Sequence, residues 1–116
     1  MDIYHVWCNL KPGVDDTEFA DAAHAYLQHL CEEGALANYR LTRRKLGLGH
    51  PNLPEWNILL EFEDMTQMDQ AFSSVASRTD PVESFHYAVN SKVQDVFFAL
   101  YRDFPDAFRE RGEERF

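Results

Sequence analysis

The chain has 116 residues, the size of one domain, and with 45% hydrophobic and 14% aromatic residues it can build a core, which excludes a disordered chain. Lys and Arg number 11 against 20 Asp and Glu, a formal net charge of −9 that disfavours nucleic acid and anionic membrane surfaces as partners. No run approaches the roughly 20 apolar residues of a membrane helix, and no secretory signal pattern is visible, so a soluble, cytoplasmic protein is expected.

Residues Asp2–Leu10 alternate. Tyr4, Val6, Cys8 and Leu10 fall on one face and Ile3, His5, Trp7 and Asn9 on the other, which predicts a strand. Lys11-Pro12-Gly13 breaks it. Asp15 then reads as an N-cap with Glu18 completing a capping box, and Val14 as a staple onto Phe19. Phe19, Ala22, Ala23, Tyr26, Leu27 and Leu30 form an apolar stripe at helical spacing, stopped by Gly34.

A second strand is expected over 35–46, with Tyr39 and Leu41 toward a core and Arg40, Thr42 and Arg44 opposite. Residues 47–54, rich in Gly, Pro and Asn, make a loop. A third strand over 56–63 puts Trp56, Ile58, Leu60 and Phe62 on one side and Asn57, Leu59 and Glu61 on the other. A second helix over 66–77 buries Met68, Ala71, Phe72 and Val75. Asp80-Pro81-Val82-Glu83 has the form of another helix start, capped by Asp80 and closed by Glu83, with the helix ending near Asn90. Residues 93–101 form a fourth strand, apolar on both faces, and the charged tail 106–116 is expected to fray. With no repeat or linker, residues 1–116 read as one domain.

The order β-α-β-β-α-α-β implies an α+β fold of ferredoxin-like type, a split βαβ arrangement with a four-stranded antiparallel sheet and helices on one face. Val6, Cys8, Tyr39, Leu41, Ile58, Leu60, Phe62, Val96, Phe98 and Leu100 are expected under the helices. The opposite face should be polar, yet it carries Ile3, Trp7, Leu59, Phe97 and Tyr101 among His5, Asn9, Arg40 and Glu61. So much apolar surface calls for a cover. The simplest is a second copy packed by two-fold symmetry, giving a homodimeric α+β barrel with a pocket for a small hydrophobic ligand between the sheets.

Two stretches carry a resemblance. His5-Val6-Trp7-Cys8-Asn9-Leu10-Lys11-Pro12-Gly13-Val14, followed by an acid-capped helix, resembles the opening of the stress-responsive dimeric α+β barrel proteins, whose first strand has a histidine there and ends in a Lys-Pro-Gly-Val turn. Asn57-Ile58-Leu59-Leu60-Glu61-Phe62-Glu63-Asp64 resembles their third strand and its acidic turn. The resemblance implies a dimeric barrel with its pocket on the inner sheet face. Enzymatic relatives such as a plant polyketide cyclase pair the first-strand histidine with a second in a His-Pro-x-His segment. Here that segment is Asp80-Pro81-Val82-Glu83, with Glu83 at the matching position and His86 one helical turn later.

His5 is therefore the leading acid/base candidate, because imidazole titrates near neutrality and a strand holds it toward the proposed pocket. The competing reading is a hydrogen-bonded interface histidine. Glu83 and His86 are candidate assistants, His86 closing the pocket near His5. Trp7, Leu59, Phe97 and Tyr101 would shape the pocket, or serve only as interface. Asn9 and Asn57 could fix a carbonyl or hydroxyl, and Arg40 a carboxylate. Glu61 could orient His5, or pair with Arg40 or Arg44 across the neighbouring strand. His24 and His29 lie five apart on different faces of their helix, and His50 in a loop, so solvated positions are expected. Cys8 and Cys31 read as reduced thiols. No spacing suits a metal, and no nucleotide or phosphate motif is present, so no cofactor is called for. The function expected is a small-molecule-pocket protein, a cofactor-independent enzyme on a hydrophobic organic substrate. The alternatives are a non-catalytic homodimer and a subunit of a hetero-complex.

Overall fold

The computed structural model describes residues 1–107 and 109–113. In chain order the elements are β1 (Asp2–Leu10), α1 (Asp16–Glu32), β2 (Asn38–Arg43), β3 (Trp56–Phe62), α2 (Met65–Ala76), α3 (Val82–Asn90) and β4 (Val93–Arg102). The strands form one antiparallel sheet in the order β2-β3-β1-β4. This is the expected α+β, ferredoxin-like arrangement. The second strand is shorter than expected because its pairing with β3 ends where Arg44 N bonds Glu55 O, before the loop.

Local chemistry explains the main helix ends. Asp15 Oδ1 accepts hydrogen bonds from the backbone N–H groups of Thr17 and Glu18 at 2.9 and 3.2 Å, as an N-cap should. The reciprocal half of the capping box does not form, and Glu18 instead faces Lys92 Nζ at 3.9 Å. At the other end Gly34 has φ +72°, its N–H donates to Cys31 O, and the Ala35 N–H donates to Leu30 O. Those two bonds are a Schellman closure, which needs the left-handed conformation glycine adopts without penalty. Asp64 caps α2 through Gln67 N at 2.9 Å. The N-cap of α3 is Pro81 rather than the expected Asp80, with no side-chain cap bond; Asp80, one residue earlier, accepts from the N–H and hydroxyl of Ser84, while the Glu83 N–H goes to Thr79 O.

The core lies between the sheet and the helices. Cys8, Phe19, Ala23, Leu27, Leu30, Leu36, Trp56, Ile58, Leu60, Phe62, Met68 and Ala71 are buried there, with Val6, Val14, Tyr39 and Leu41 packed against them. Two expectations fail at one edge. Val96, Phe98 and Leu100 point toward the helix layer yet are 37%, 58% and 47% exposed, and Phe72 is 43% exposed. The reason is architectural: β4 is an edge strand, and α3 packs chiefly on α1, so none of the described helices closes over the helix side of β4. The expected tail spans residues 108 and 114–116, which lie outside the described residues. Before them, Asp106 pairs with Arg102 at 3.0 Å and with Arg109 at 3.6 Å.

Candidate functional site

Alternation along β1 gives the sheet two chemically different faces. Register places Ile3 between Glu61 and Tyr101, His5 between Leu59 and Ala99, and Trp7 between Asn57 and Phe97. These residues share the face away from the helices. The fourth-strand register thus puts Phe97 and Tyr101 beside His5, and Phe98 and Leu100 on the helix side. His5 stacks on Trp7 (centroids 5.1 Å, 11°) and tilts against Tyr101 at 4.9 Å, while Trp7 tilts against Phe97 at 5.9 Å. Its Nδ1 is buried with no hydrogen-bond partner among the described residues, a costly arrangement for a polar nitrogen.

The polar candidates on this face are largely committed to structure. Asn9 Oδ1 accepts from Glu55 N at 2.9 Å, and its Nδ2 donates to Asp95 Oδ2 at 3.2 Å. Between the Trp7–Phe97 and Asn9–Gln94 pairs β1 advances two residues and β4 three, so Asp95, at φ +54°, sits in a bulge that Asn9 clamps. Asn9 is a structural bracket, not a free ligand donor. Asn57 Nδ2 reaches Val6 O at 3.5 Å. Glu61 accepts from Asn38 Nδ2 at 3.2 Å, so the expected pairing with Arg40 or Arg44 is replaced by its directly opposed neighbour on β2. Arg44 turns instead into the 44–55 loop and donates to the carbonyls of His50 and Leu53. Arg40 is exposed, with no ion pair among the described residues.

The cavity lies on the other face. About 450 Å³ opens between the sheet and α1, α2 and α3, walled by Val6, Leu27, Ile58, Leu60, Val89 and Phe98 among others, and open toward β4. Its polar lining comes from Tyr4, Tyr26, His86 and Asn90, with the Cys8 thiol. Tyr26 and His86 meet edge to face at 5.7 Å. Burial pushes the Tyr26 hydroxyl up to about 12 and the Cys8 thiol to about 11, and raises Tyr4, so the cavity favours neutral groups. Among the described residues Tyr26 and His86 make ring contacts but no side-chain hydrogen bond, and no His, Cys, Asp and Glu grouping suits a metal.

The expected catalytic set is therefore split by the sheet. His5 stands on one face, His86 lines the cavity behind the other, and Glu83 lies half-buried on α3 outside the cavity. His86 does not close a pocket near His5, because the third helix packs over the helix side of the sheet. His24, expected in solvent, bonds the Tyr39 hydroxyl through Nδ1 at 2.9 Å, and His29 stacks on Phe85 at 4.9 Å. His50 Nδ1 accepts from Asn52 N at 3.1 Å, which gives it a role inside its own loop. Sequence reasoning passed over Tyr26 as one more residue of the α1 stripe. Its signal was a hydroxyl within that stripe, which needs a partner when buried.

Residues 1–116 match a family of unknown function, DUF6614, along their whole length. No curated protein matches the chain. Among solved structures, an Arabidopsis thaliana protein is similar at 10% identity and TM-score 0.71, over 89% of this chain and 95% of that one. SnoaB, a cofactor-independent oxygenase from Streptomyces nogalater, is similar at 7% identity and TM-score 0.69, over 93% and 97%. A dimeric ferredoxin-like protein of unknown function from Jannaschia sp. CCS1 is similar at 14% identity and TM-score 0.60, over 89% and 100%. At such identities the likeness is one of fold.

Proposed function

The chain belongs to the DUF6614 family, and we propose that it is a homodimeric small-molecule-pocket protein that takes a hydrophobic organic molecule into the cavity between its sheet and helices. The observation that carries the proposal is the cavity itself. At about 450 Å³ it falls in the range of small-molecule sites, with apolar walls and a few polar groups at hand. The pocket is thus moved from the space between two sheets to the inside of one subunit. The sheet face keeps the role of dimer interface: Ile3, His5, Trp7, Leu59, Phe97 and Tyr101 need a cover, and the dimeric Jannaschia protein shares the fold.

The finer reading is catalysis without a cofactor, and the fold shared with a cofactor-independent oxygenase supports it. His86 then replaces His5 as the acid/base, since it is the histidine that lines the cavity. Non-catalytic binding is favoured by a different observation. Among the described residues no side chain hydrogen-bonds His86 to orient it, as a general base usually requires. Resemblance of the first strand to stress-responsive barrel proteins, and two free cysteines that suit the cytoplasm, agree with a stress-related binder.

The test uses N-phenyl-1-naphthylamine, a neutral probe that fluoresces in apolar sites. The wild-type protein should bind it saturably, and Val75→Trp, which fills the cavity wall, should lose that binding while keeping its circular dichroism spectrum. Binding undiminished in Val75→Trp would place the ligand elsewhere.

A further inference from the structure

The cavity's lining also selects the kind of molecule it holds. Resting on the reading of the cavity as a ligand site, we propose that its ligand is a neutral, largely apolar molecule bearing one hydroxyl or carbonyl oxygen, and that this oxygen is held by Tyr26 with His86 beside it.

Three observations lead there. First, no Lys or Arg lines the cavity, so a carboxylate or phosphate would lose its hydration with no cation to replace it. The nearest cation along the chain is Lys92, and its Nζ is occupied by Ala88 O at 2.8 Å and the Glu18 carboxylate at 3.9 Å. Second, the ionisable lining groups Cys8, Tyr4 and Tyr26 are all displaced toward their uncharged forms by burial, so these walls disfavour charge of their own as well. Third, two of the polar side chains adjoin. The Tyr26 and His86 rings meet edge to face with centroids 5.7 Å apart, and neither side chain has a hydrogen-bond partner among the described residues. A hydroxyl and an imidazole open to a ligand between apolar walls are complementary to one polar oxygen on an otherwise apolar molecule. Charge is therefore the variable to test.

Three probes of the same bicyclic skeleton separate the alternatives: naphthalene, 1-naphthol and 1-naphthoate, measured by equilibrium dialysis at neutral pH against the wild type and Tyr26→Phe. We expect 1-naphthol to bind roughly tenfold more tightly than naphthalene, the worth of one hydrogen bond between apolar walls. Naphthoate should bind more weakly than both. Tyr26→Phe should bring 1-naphthol down to the naphthalene level and leave naphthalene within about twofold, the naphthalene value reporting that the cavity is intact. Equal binding of naphthalene and 1-naphthol, an unchanged preference in Tyr26→Phe, or tighter binding of naphthoate would overturn the assignment while leaving the cavity as a site. No binding of any of the three would overturn the cavity reading itself, and this inference with it.

Discussion

Burial acts on Tyr26 and Cys8 in one direction, and that direction has a consequence for stability. Both acids are harder to ionise in the fold, with Cys8 raised from its usual 9.0 to about 11 and Tyr26 from 10.0 to about 12. The unfolded chain therefore loses these protons first as pH rises, so alkali favours unfolding. The stabilising preference is complete below the unfolded values and is lost as pH climbs through the folded ones. Urea midpoints should accordingly fall between roughly pH 9 and 12, less steeply for Tyr26→Phe. An equally steep fall in that variant would remove Tyr26 from the account. Asn9 makes a different residue-scale prediction. Since it brackets β3 and the β4 bulge, Asn9→Ala should cost about 1–2 kcal/mol in chemical denaturation. It should leave probe binding unchanged, where a ligand-binding asparagine would weaken it.

Helix ends are where the elements were most legible. The Asp15 cap and the Gly34 stop were both readable because each rests on chemistry within a few residues: a carboxylate facing free N–H groups, and a backbone turn that only glycine takes easily. Gly34→Ala would meet nothing within 4 Å, so any cost comes from φ +72° alone. A loss of about 1 kcal/mol is expected from the urea midpoint, and an unchanged midpoint would mean the Schellman turn tolerates a side chain. The capping-box partners were less legible. Glu18 goes to Lys92, and Asp80, one residue before the N-cap Pro81, bonds Ser84, because the final partner depends on what α3 brings near. The pairing expected between Glu61 and Arg40 or Arg44 failed for a similar reason, since the register set Asn38 opposite Glu61.

At the scale of the molecule, the sheet separates two surfaces of different chemistry, an aromatic face around His5 and the cavity side under the helices. The face carrying Trp7, Phe97 and Tyr101 is the one a second copy would cover. Size-exclusion chromatography with light scattering should give twice the 13.5 kDa chain mass. Phe97→Glu, which sets a charge on that face, should shift the protein to monomer while it stays folded. A monomeric wild type would overturn the interface. The sequence by itself determined the seven elements, their order and which residues share a face, because period-two and period-3.6 alternation, caps and turns are local physics. For the fourth strand, apolar on both faces, alternation could not choose a register, and pairing with β1 put Phe97 and Tyr101 on the His5 face. Only the tertiary structure decided where the empty volume lies. A cavity is a mismatch between packed layers, set here by α3 resting on α1 and leaving the helix side of β4 open, and no spacing along the chain encodes it. That one packing decision set His86 beside Tyr26 at the cavity, behind the sheet face on which alternation had already placed His5.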